Sequence, residues 1–299
     1  MDILFKRYIW LIELLNRFGE LTFKEIAERW ETASFNDTGS ALTKRTFYNH
    51  CQAIALNFGI DIVCRRGRGN NVYYIENPDS IDSSTLVKWT IDSLSVSEMI
   101  YENKSIADKI LLEEVPAGIE WLDIILKSLR ENLIIKLDYK NFIGRPFQSN
   151  VAPLCLKLFK RRWYFVAQIP SEEKYIFALD RVKNIELTEQ SFEYPKDFKP
   201  TDFFRHTFGI ATSTGEKPND IIIRTYAELP GYLRSLPLHH SQKEIYSNNE
   251  YTDFSLRVIP TFDFIQEILS HREQLEVMSP LNFRIQISEI IKSMSKRYE

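Results

Sequence analysis

The chain has 299 residues, of which 44% are hydrophobic and 26% charged, a composition typical of a globular protein with about two or three domains. Its formal net charge of -3 argues against a protein that binds nucleic acid over its whole surface, so a basic patch must be sought within single domains. Three widely spaced cysteines argue against a disulfide framework or a zinc site, and the sequence shows neither a signal peptide nor a run of about 18 apolar residues, so we expect a cytoplasmic protein without a membrane span.

The first elements along the chain are two predicted helices. Residues 3–18 carry apolar side chains at helical spacing, and Gly19 follows them as a natural helix end. Thr22 and Glu25 form the pattern of a capping box, in which each side chain bonds the backbone of the other residue. This pattern predicts a second helix over residues 22–31.

The next elements predict a DNA-binding fold. A polar loop over residues 32–41 leads to a third helix, which we expect to start near Thr43 and to end at Gly59. Two β-prone runs, "IDIVC" and "VYYI", then flank the basic turn "RRGRGNN". Three helices followed by a β-hairpin predict a winged helix-turn-helix over residues 1–77. The loop before the third helix is longer than the usual length of about three to four residues, so the angle between the second and third helices is left open.

The rest of the chain predicts three further regions and, together with the first, an α+β fold. Residues 78–132 carry apolar side chains at helical spacing in several stretches, which predicts a helical connector. Residues 133–212 change to short β-prone runs separated by turn residues, which predicts a small β-barrel. Residues 213–299 alternate strands with helices and predict a small α+β domain.

The third helix presents two contrasting faces. One face is apolar, and the opposite face carries residue types that bind DNA, since lysine and arginine contact phosphate or guanine, whereas asparagine and glutamine pair with adenine. The predicted DNA-binding residues of this helix are Lys44, Arg45, Thr46, Tyr48, Asn49 and Gln52. The turn of the hairpin adds Arg65, Arg66 and Arg68. The segment 40–75 thus holds five cations and one acid, and the alternative interpretation is a solvated helix face with a charged turn.

The stretch "FKRRWYFVAQ", residues 159–168, leads three cations into a β-prone run. Alternation along a strand places Arg162 and Tyr164 on one face and Trp163 and Phe165 on the other. One of these faces must line the core of the barrel, and the sequence leaves open which. The next predicted strand carries "FALDRV", in which an aspartate and an arginine follow an apolar run.

Together these runs resemble the WYL domain, a family named after a Trp-Tyr-Leu run. "RRWYFVA" followed by "ALDRVKNIEL" is similar to its signature strand and the strand after it, and "LKSLRENLIIKLDYKN" and "VAPLCLKLFKRRWY" resemble its opening helix and earlier strands. "FFRHTFGI" resembles the exit segment after the barrel. The flanking sequence resembles the winged helix that commonly precedes the domain and the extension that commonly follows it. Phe165 stands where the family has leucine, a swap that keeps the position apolar.

The resemblance implies a bacterial transcriptional regulator that works as a homodimer. Its central domain would be an Sm-like (SH3-like) β-barrel that senses a ligand, often nucleic acid or a nucleotide. The residues we expect to bind the ligand are Tyr139, Arg145, Lys160, Arg162, Tyr164 and Arg181, because cations bind phosphates and tyrosines offer a stacking face. The alternatives are core packing of Tyr164 and a salt bridge from Arg181 to Asp180 or another acid. Trp163 is assigned to the core or to a domain interface.

Three classes of function follow from these features. The first is a ligand-responsive regulator that binds a double-stranded DNA operator as a homodimer, with a nucleotide or single-stranded nucleic acid as effector. The second is a single-stranded nucleic-acid sensor or accessory binding protein in DNA damage or phage defence. An enzyme is the third class, but nothing in the sequence places a nucleophile, a base and an oxyanion donor together. No cofactor or metal is expected, since His206, His239 and His240 have no cysteine or carboxylate at metal-ligand spacing.

Overall fold

The computed structural model describes residues 3–33, 35–36, 39–67, 71–77, 85–112, 118–171, 173–212 and 215–299. The chain divides into two compact units, Met1–Glu113 and Glu114–Glu299. Both units combine helices with antiparallel sheets, which confirms the predicted α+β class. The bounds of the four predicted domains stay predictions.

The first unit begins with the helices that the sequence predicts. Their bounds, with the short strand between them, are α1 Ile3–Phe18, β1 Leu21–Thr22, α2 Phe23–Glu31 and α3 Lys44–Phe58. The predicted capping box is present, because the Thr22 hydroxyl accepts the N–H of Glu25 at 3.2 Å and the Glu25 carboxylate accepts the N–H of Thr22 at 2.7 Å. Gly59 ends α3 in the left-handed conformation, with a φ of 65°, as expected of a C-terminal glycine.

A small sheet and a fourth helix complete the first unit. Strands β2 Ile62–Arg65 and β3 Val72–Ile75 pair antiparallel, and β1 adds to the other side of β3. One hydrophobic cluster joins these elements, with the fully buried side chains of Ile12, Ile26, Phe47 and Ile54 at its centre. Helix α4 Thr85–Glu102 contributes Ile91 to the same cluster, and a 3₁₀-helix Lys104–Lys109 follows it.

The second unit opens with a five-stranded antiparallel sheet in the order β7-β6-β5-β4-β8. Its strands are β4 Leu133–Lys140, β5 Pro146–Phe159, β6 Arg162–Gln168, β7 Lys174–Ala178 and β8 Val182–Ser191. The first half of β5 pairs with β4 and its second half pairs with β6, with a register shift near Pro153. This long strand therefore connects the β4–β8 part of the sheet to the β6–β7 part.

Two short 3₁₀-helices and a longer helix pack with this sheet. A 3₁₀-helix Ile119–Trp121 leads into α5 Leu122–Glu131, and a second, Leu179–Arg181, joins β7 to β8. The side chain of Ile125 on α5 is fully buried in the sheet's hydrophobic cluster. The sequence places this helix in the connector 78–132, but its apolar face lies on the sheet of the second unit.

The C-terminal part of the second unit is a four-stranded antiparallel sheet in the order β10-β11-β9-β12. After the short helix α6 Pro200–Phe203, its elements are β9 Asn219–Tyr226, α7 Leu229–Ser235, β10 Lys243–Ser247, β11 Tyr251–Val258, α8 Phe262–Ser270, β12 Leu275–Ser279 and α9 Leu281–Ser295. Side chains of α7, α8 and α9 share one hydrophobic cluster with the strands, including Ile223, Leu233, Phe254, Phe264 and Phe283. The helices therefore cover one face of this sheet.

Candidate nucleic-acid interface and ligand site

Helix α3 carries a continuous polar stripe on the face opposite the core. Phe47 and Ile54 are fully buried on the core face, whereas the side chains on the opposite face of the helix are exposed. The exposed residues of the stripe are Lys44, Arg45, Tyr48, Asn49 and Gln52. All five are among the predicted DNA-binding residues, so the helix presents them together to solvent.

Two predicted residues of α3 also have structural contacts. Thr46 donates its N–H to the hydroxyl of the N-cap Thr43 at 3.1 Å, and the two hydroxyl oxygens lie 2.9 Å apart. Thr46 is half-buried and belongs to the cap that starts the helix. The hydroxyl of Tyr48 lies 3.1 Å from that of Tyr73, which ties α3 to β3 while half of the Tyr48 side chain stays exposed.

The hairpin beside α3 supplies further cations. Arg65 forms a salt bridge with Glu20, and its guanidinium lies 5.8 Å from the ring centroid of Tyr74. Arg66 is exposed. Arg68 lies outside the residues that the structure describes. Because Arg65 is already paired with a carboxylate, Arg66 is the more available of the two for a phosphate.

A buried histidine behind the polar stripe was not foreseen from the sequence. His50 of α3 stacks on Trp30 with ring centroids 5.7 Å apart, and its pKa is lowered by burial and by the nearby charge of Arg7. No hydrogen-bond partner for its Nε2 occurs among the described residues. The only sequence signal was its position on the apolar face of the third helix.

Strand β6 resolves the question of which face lines the core. Phe165 and Ala167 are fully buried in the cluster of the five-stranded sheet, and Trp163 packs against that cluster, as predicted. Val166 belongs to a second cluster on the other side of the strand, with Phe198. The predicted alternation is therefore confirmed, and the aromatic pair on the Trp163 face is the core pair.

Three of the six predicted ligand residues meet near the start of β6. Arg162 lies 3.6 Å from the Asp180 carboxylate, and the Arg181 guanidinium lies 5.7 Å from the ring centroid of the exposed Phe142. The Tyr164 ring is 8% exposed, in keeping with the alternative of core packing. Burial raises the pKa of Tyr164, the charges of Arg162 and Arg181 lower it, and those of Asp180 and Asp263 raise it. The salt bridge to Asp180 is made by Arg162 in place of Arg181.

The other three predicted ligand residues are directed elsewhere. Tyr139 is buried in the core, where its hydroxyl accepts the N–H of Ala178 at 3.4 Å. Lys160 donates to the carboxylate of Glu267 on α8 at 2.8 Å. Arg145 is exposed in the loop between β4 and β5, where its backbone N–H donates to Asn141. The structure therefore does not bring these three side chains to the group around Arg162.

The tight turn between β5 and β6 is made from two cations. Lys160 and Arg161 have φ angles of 44° and 66°, and Phe159 pairs directly with Arg162 across the turn. Successive positive φ values are typical of a two-residue hairpin turn, which usually contains asparagine or glycine. The sequence "KR" carries no such signal, and the turn is fixed from outside by the Lys160–Glu267 pair.

A polar junction joins the two sheets of the second unit. Lys157 of β5 donates to the carbonyl of Gly209 at 2.5 Å and lies 3.8 Å from the ring centroid of Phe204, and burial lowers its pKa to about 8. Asp263 at the start of α8 accepts the N–H groups of Ile210 and Ala211, both at 2.7 Å. The run "FFRHTFGI" predicted an exit segment here, but its polar partners are distant in sequence and carry no local signal.

A cavity of about 720 Å³ lies beside β7 and the segment that contains α6. Its charged lining residues are Lys174, Lys199, Glu173, Asp197 and Asp202. Three carboxylates against two lysines do not favour an anionic ligand. None of the six predicted ligand residues lines it, so the arginine pair at the start of β6 is the better candidate for a phosphate site.

Neither a metal-binding cluster nor a membrane-spanning helix occurs within the part of the chain that the structure describes. No cluster of three or more histidine, cysteine or acidic side chains is arranged to hold a metal ion there. None of the helices in those ranges is both long and apolar enough to span a membrane.

Comparisons with known proteins identify the central segment. Residues 120–187, less than half of the chain, match the family model of the WYL domain. Among solved structures, proteasome accessory factor B/C (PafBC) of Arthrobacter aurescens is similar at 18% identity and a TM-score of 0.37, and the match covers 94% of this chain and 45% of that chain. A CRISPR Cas-related protein is similar at 11% identity and a TM-score of 0.40, covering 98% of this chain and 80% of that chain. This chain thus spans under half of the Arthrobacter chain, and no curated protein matches it.

Proposed function

We propose that this protein, which carries a WYL domain over residues 120–187, is a ligand-responsive transcription regulator that binds double-stranded DNA through its N-terminal unit. The observation that carries the proposal is the polar stripe of α3, because its five exposed side chains stand opposite a fully packed core face. A helix with one face packed on the core and an exposed polar face of this composition is the arrangement that binding in the major groove requires.

The N-terminal unit has the parts of a winged helix in the expected order. Helices α1, α2 and α3 precede the β2–β3 hairpin, which would act as the wing. On α3, Arg45 suits guanine or phosphate, whereas Asn49 and Gln52 have the paired donor and acceptor that adenine requires. Arg66 on the hairpin side would contact the phosphate backbone and position the helix.

The local charge supports the same assignment. Within the described parts of the segment 40–75, Lys44, Arg45, Arg65 and Arg66 stand against a single acid, Asp61, although the whole chain has a net charge of -3. Such segregation is what phosphate binding needs, because each neutralised phosphate releases counterions. A helix face that only contacts solvent does not require this local excess of positive charge.

Fluorescence anisotropy with a labelled duplex tests this proposal. Arg45→Ala and Asn49→Ala are expected to weaken binding by about tenfold each, and Arg45→Ala should also reduce the slope of log affinity against log salt by about 0.9 if Arg45 contacts one phosphate. Lys24→Ala is the matched control, because Lys24 is an exposed cation of α2 paired with Glu28 and lies off the stripe. Equal losses for Arg45→Ala and Lys24→Ala, with none for Asn49→Ala, would mean that general charge, and not α3, governs binding.

We propose that the effector binds beside Arg162 and Arg181 on the five-stranded sheet, which would be an Sm-like barrel. Two guanidinium groups supply positive charge for a phosphate. The exposed Phe142 ring, whose centroid lies 5.7 Å from the Arg181 guanidinium, offers a stacking face for a base. This chemistry suits a nucleotide or a short single strand. Arg162→Ala and Arg181→Ala should abolish effector binding and leave duplex binding without effector unchanged.

The two arginines beside the exposed Phe142 ring also favour one alternative function, a sensor of single-stranded nucleic acid whose main binding site is the five-stranded sheet. That function predicts tight binding of single strands, loss of this binding in Arg162→Ala, and no duplex binding sensitive to Arg45→Ala. Both proposals describe a binding protein, and we propose no catalytic role for the chain.

We further propose that the regulator is a homodimer formed through α4. This helix leaves large apolar side chains exposed at spacings of seven and three residues, with Trp89, Val96 and Met99 each about half exposed. A second copy of the same helix would cover them, and the pair of N-terminal units would then read a two-fold symmetric operator. Sedimentation velocity should show a dimer for the wild type and a shift to monomer for Val96→Lys.

A further inference from the structure

The carboxylate of Asp180 pairs with Arg162, where an anionic ligand of that arginine would also bind. Its Oδ2 is 3.6 Å from the Arg162 guanidinium, and it sits next to Arg181 in sequence. The Asp180 side chain is 17% exposed, whereas that of Arg162 is 46% exposed. The carboxylate therefore lies beneath a guanidinium that solvent reaches.

This carboxylate is incompletely satisfied. Its Oδ1 is buried, and no donor reaches it among the residues that the structure describes. A buried acceptor without a donor costs free energy. Asp180 is therefore paired with Arg162 but is only weakly stabilised in this position. An anion that binds Arg162 would face the negative charge of Asp180 unless the carboxylate moved away.

The backbone of the same turn is pressed against Gly118. A Cβ atom on Gly118 would lie 2.5 Å from the backbone nitrogen of Asp180, and the φ of Gly118 is 103°. The N–H of Gly118 donates to Glu120 at 2.9 Å, which fixes the glycine at the start of the 3₁₀-helix before α5. With no side chain between them, the Leu179–Arg181 turn cannot move toward Gly118 without displacing it.

We propose that Asp180 is an internal counter-ion that keeps the effector site in its ligand-free form, and that Gly118 transmits its displacement. The inference rests on the effector site proposed above. Effector binding to Arg162 and Arg181 expels the Asp180 carboxylate and shifts the Leu179–Arg181 turn. Gly118 lies close in the chain to the division between the two units at Glu113 and Glu114, so a shift of its backbone would be passed along the chain toward the N-terminal unit.

The counter-ion role also restricts the ligand. A group that replaces a carboxylate on Arg162 must carry at least as much negative charge, which favours a terminal phosphate over a neutral base or sugar. The effector then competes with the Asp180 carboxylate for Arg162. Because the effector binds the form of the Leu179–Arg181 turn without the Asp180–Arg162 pair more tightly, its binding shifts the turn to that form.

Binding of a short, fluorescein-labelled, 5′-phosphorylated oligothymidylate to the full-length protein tests the counter-ion role. Asp180→Asn keeps the shape of the side chain and removes its charge, so we expect about tenfold tighter binding than in the wild type. Asp180→Glu keeps the charge and should bind no tighter. Asp138→Asn is the control, since it removes one carboxylate of the same sheet whose bond is to Gln148 and not to either arginine.

The outcomes separate the inference from the function on which it rests. Wild-type binding with no gain in Asp180→Asn overturns the counter-ion role alone. An equal gain in Asp138→Asn also overturns it, because the effect would then be one of net charge. If neither the wild type nor Asp180→Asn binds the probe, the effector site and the inference both fall.

Gly118→Ala tests the transmission step. The added Cβ would push the Leu179–Arg181 turn away, so we expect Gly118→Ala to bind the probe less tightly than the wild type and, at saturating probe, to show no change in its affinity for duplex DNA. Gly215→Ala is the matched control, because Gly215 has a φ of 86° but no atom within 4 Å of an added Cβ. A Gly118→Ala protein that responds to the probe like the wild type overturns this step.

Hydrogen–deuterium exchange on the wild type provides a second measurement that does not depend on a variant folding. Addition of the probe should change exchange in segments 118–121 and 179–181 together. The strand Tyr251–Val258 in the C-terminal sheet should not change. A change confined to 179–181 would contradict transmission through Gly118.

Discussion

Replacement of His239 by asparagine should remove much of the acid sensitivity of the second unit. The His239 side chain is 8% exposed, and its Nδ1 accepts the N–H of Ser241 at 3.3 Å. Burial, together with the charges of His240, His206 and Lys157, lowers its pKa to about 4 against an opposing effect of the Arg205 backbone. Asparagine offers an oxygen near the Nδ1 position and does not titrate.

The sign and size of the effect follow from the two pKa values of His239. In the unfolded chain the pKa is about 6.5, so the unfolded state binds a proton that the folded state rejects. The contribution of neutral His239 to stability is complete above pH 6.5 and is lost as the pH falls toward 4. A gap of about 2.5 pH units corresponds to roughly 3 kcal/mol, of which about 2 kcal/mol is lost between pH 7.5 and pH 5.

Urea unfolding at pH 7.5 and at pH 5, followed by circular dichroism, measures this loss. His239→Asn should reduce the difference in unfolding free energy between the two pH values by about 2 kcal/mol. His240→Asn is the comparison, because His240 is exposed and its charge only adds to the lowering of the His239 pKa, so its loss should reduce the difference by less than His239→Asn does. Some acid sensitivity should remain in every variant, since burial also lowers the pKa values of His50 and His271. An unchanged difference in His239→Asn would refute the assignment of the effect to this residue.

Three further predictions concern the cap of α3, the junction of the second unit and a buried thiol. Thr43→Ala should lower the unfolding free energy by about 1 kcal/mol in urea unfolding, whereas Thr43→Ser should keep the cap. Gly209→Ala would place a Cβ atom 2.8 Å from that of Asp263, so its thermal midpoint should fall well below that of Gly215→Ala, which shares the positive φ but has open space. Burial raises the pKa of the Cys155 thiol to about 11, so iodoacetamide at pH 8 should alkylate it far more slowly in the native protein than in urea, as peptide mass spectrometry can measure.

Elements whose signals are local were predictable from the sequence. The Thr22–Glu25 capping box, the Thr43 cap and the Gly59 helix end each depend on residues within a few positions of one another, and each is confirmed. The alternation along β6 also holds, because a strand places successive side chains on opposite faces whatever packs against them.

The partners of the charged residues were not predictable in the same way. Lys160 finds Glu267 more than a hundred positions away, and Lys157 finds the carbonyl of Gly209. A sequence shows that a lysine is present near a strand end but does not show which distant element folds onto it. For this reason the expected ligand set included Lys160, whereas Asp180, which sits against Arg162, was considered only as a partner of Arg181.

The core aromatic positions show a related limit. Tyr139 and Tyr164 were expected to offer stacking faces, yet both rings are buried, and the exposed ring next to the arginines is Phe142. Residue type alone does not distinguish a tyrosine that fills a core from one that faces a ligand. Only the register of β4 and β6 against their neighbours decides this, and register is a tertiary property.

Selection of bound duplexes from a random DNA pool tests the central claim most directly. The wild-type protein is predicted to enrich a defined, two-fold symmetric sequence, and Asn49→Ala is predicted to lose the preference for adenine at one position of each half-site while Lys24→Ala selects the same sequence as the wild type. If no duplex is enriched, or if Asn49→Ala and Arg45→Ala both select the wild-type sequence, then α3 does not read DNA and the proposed function is wrong.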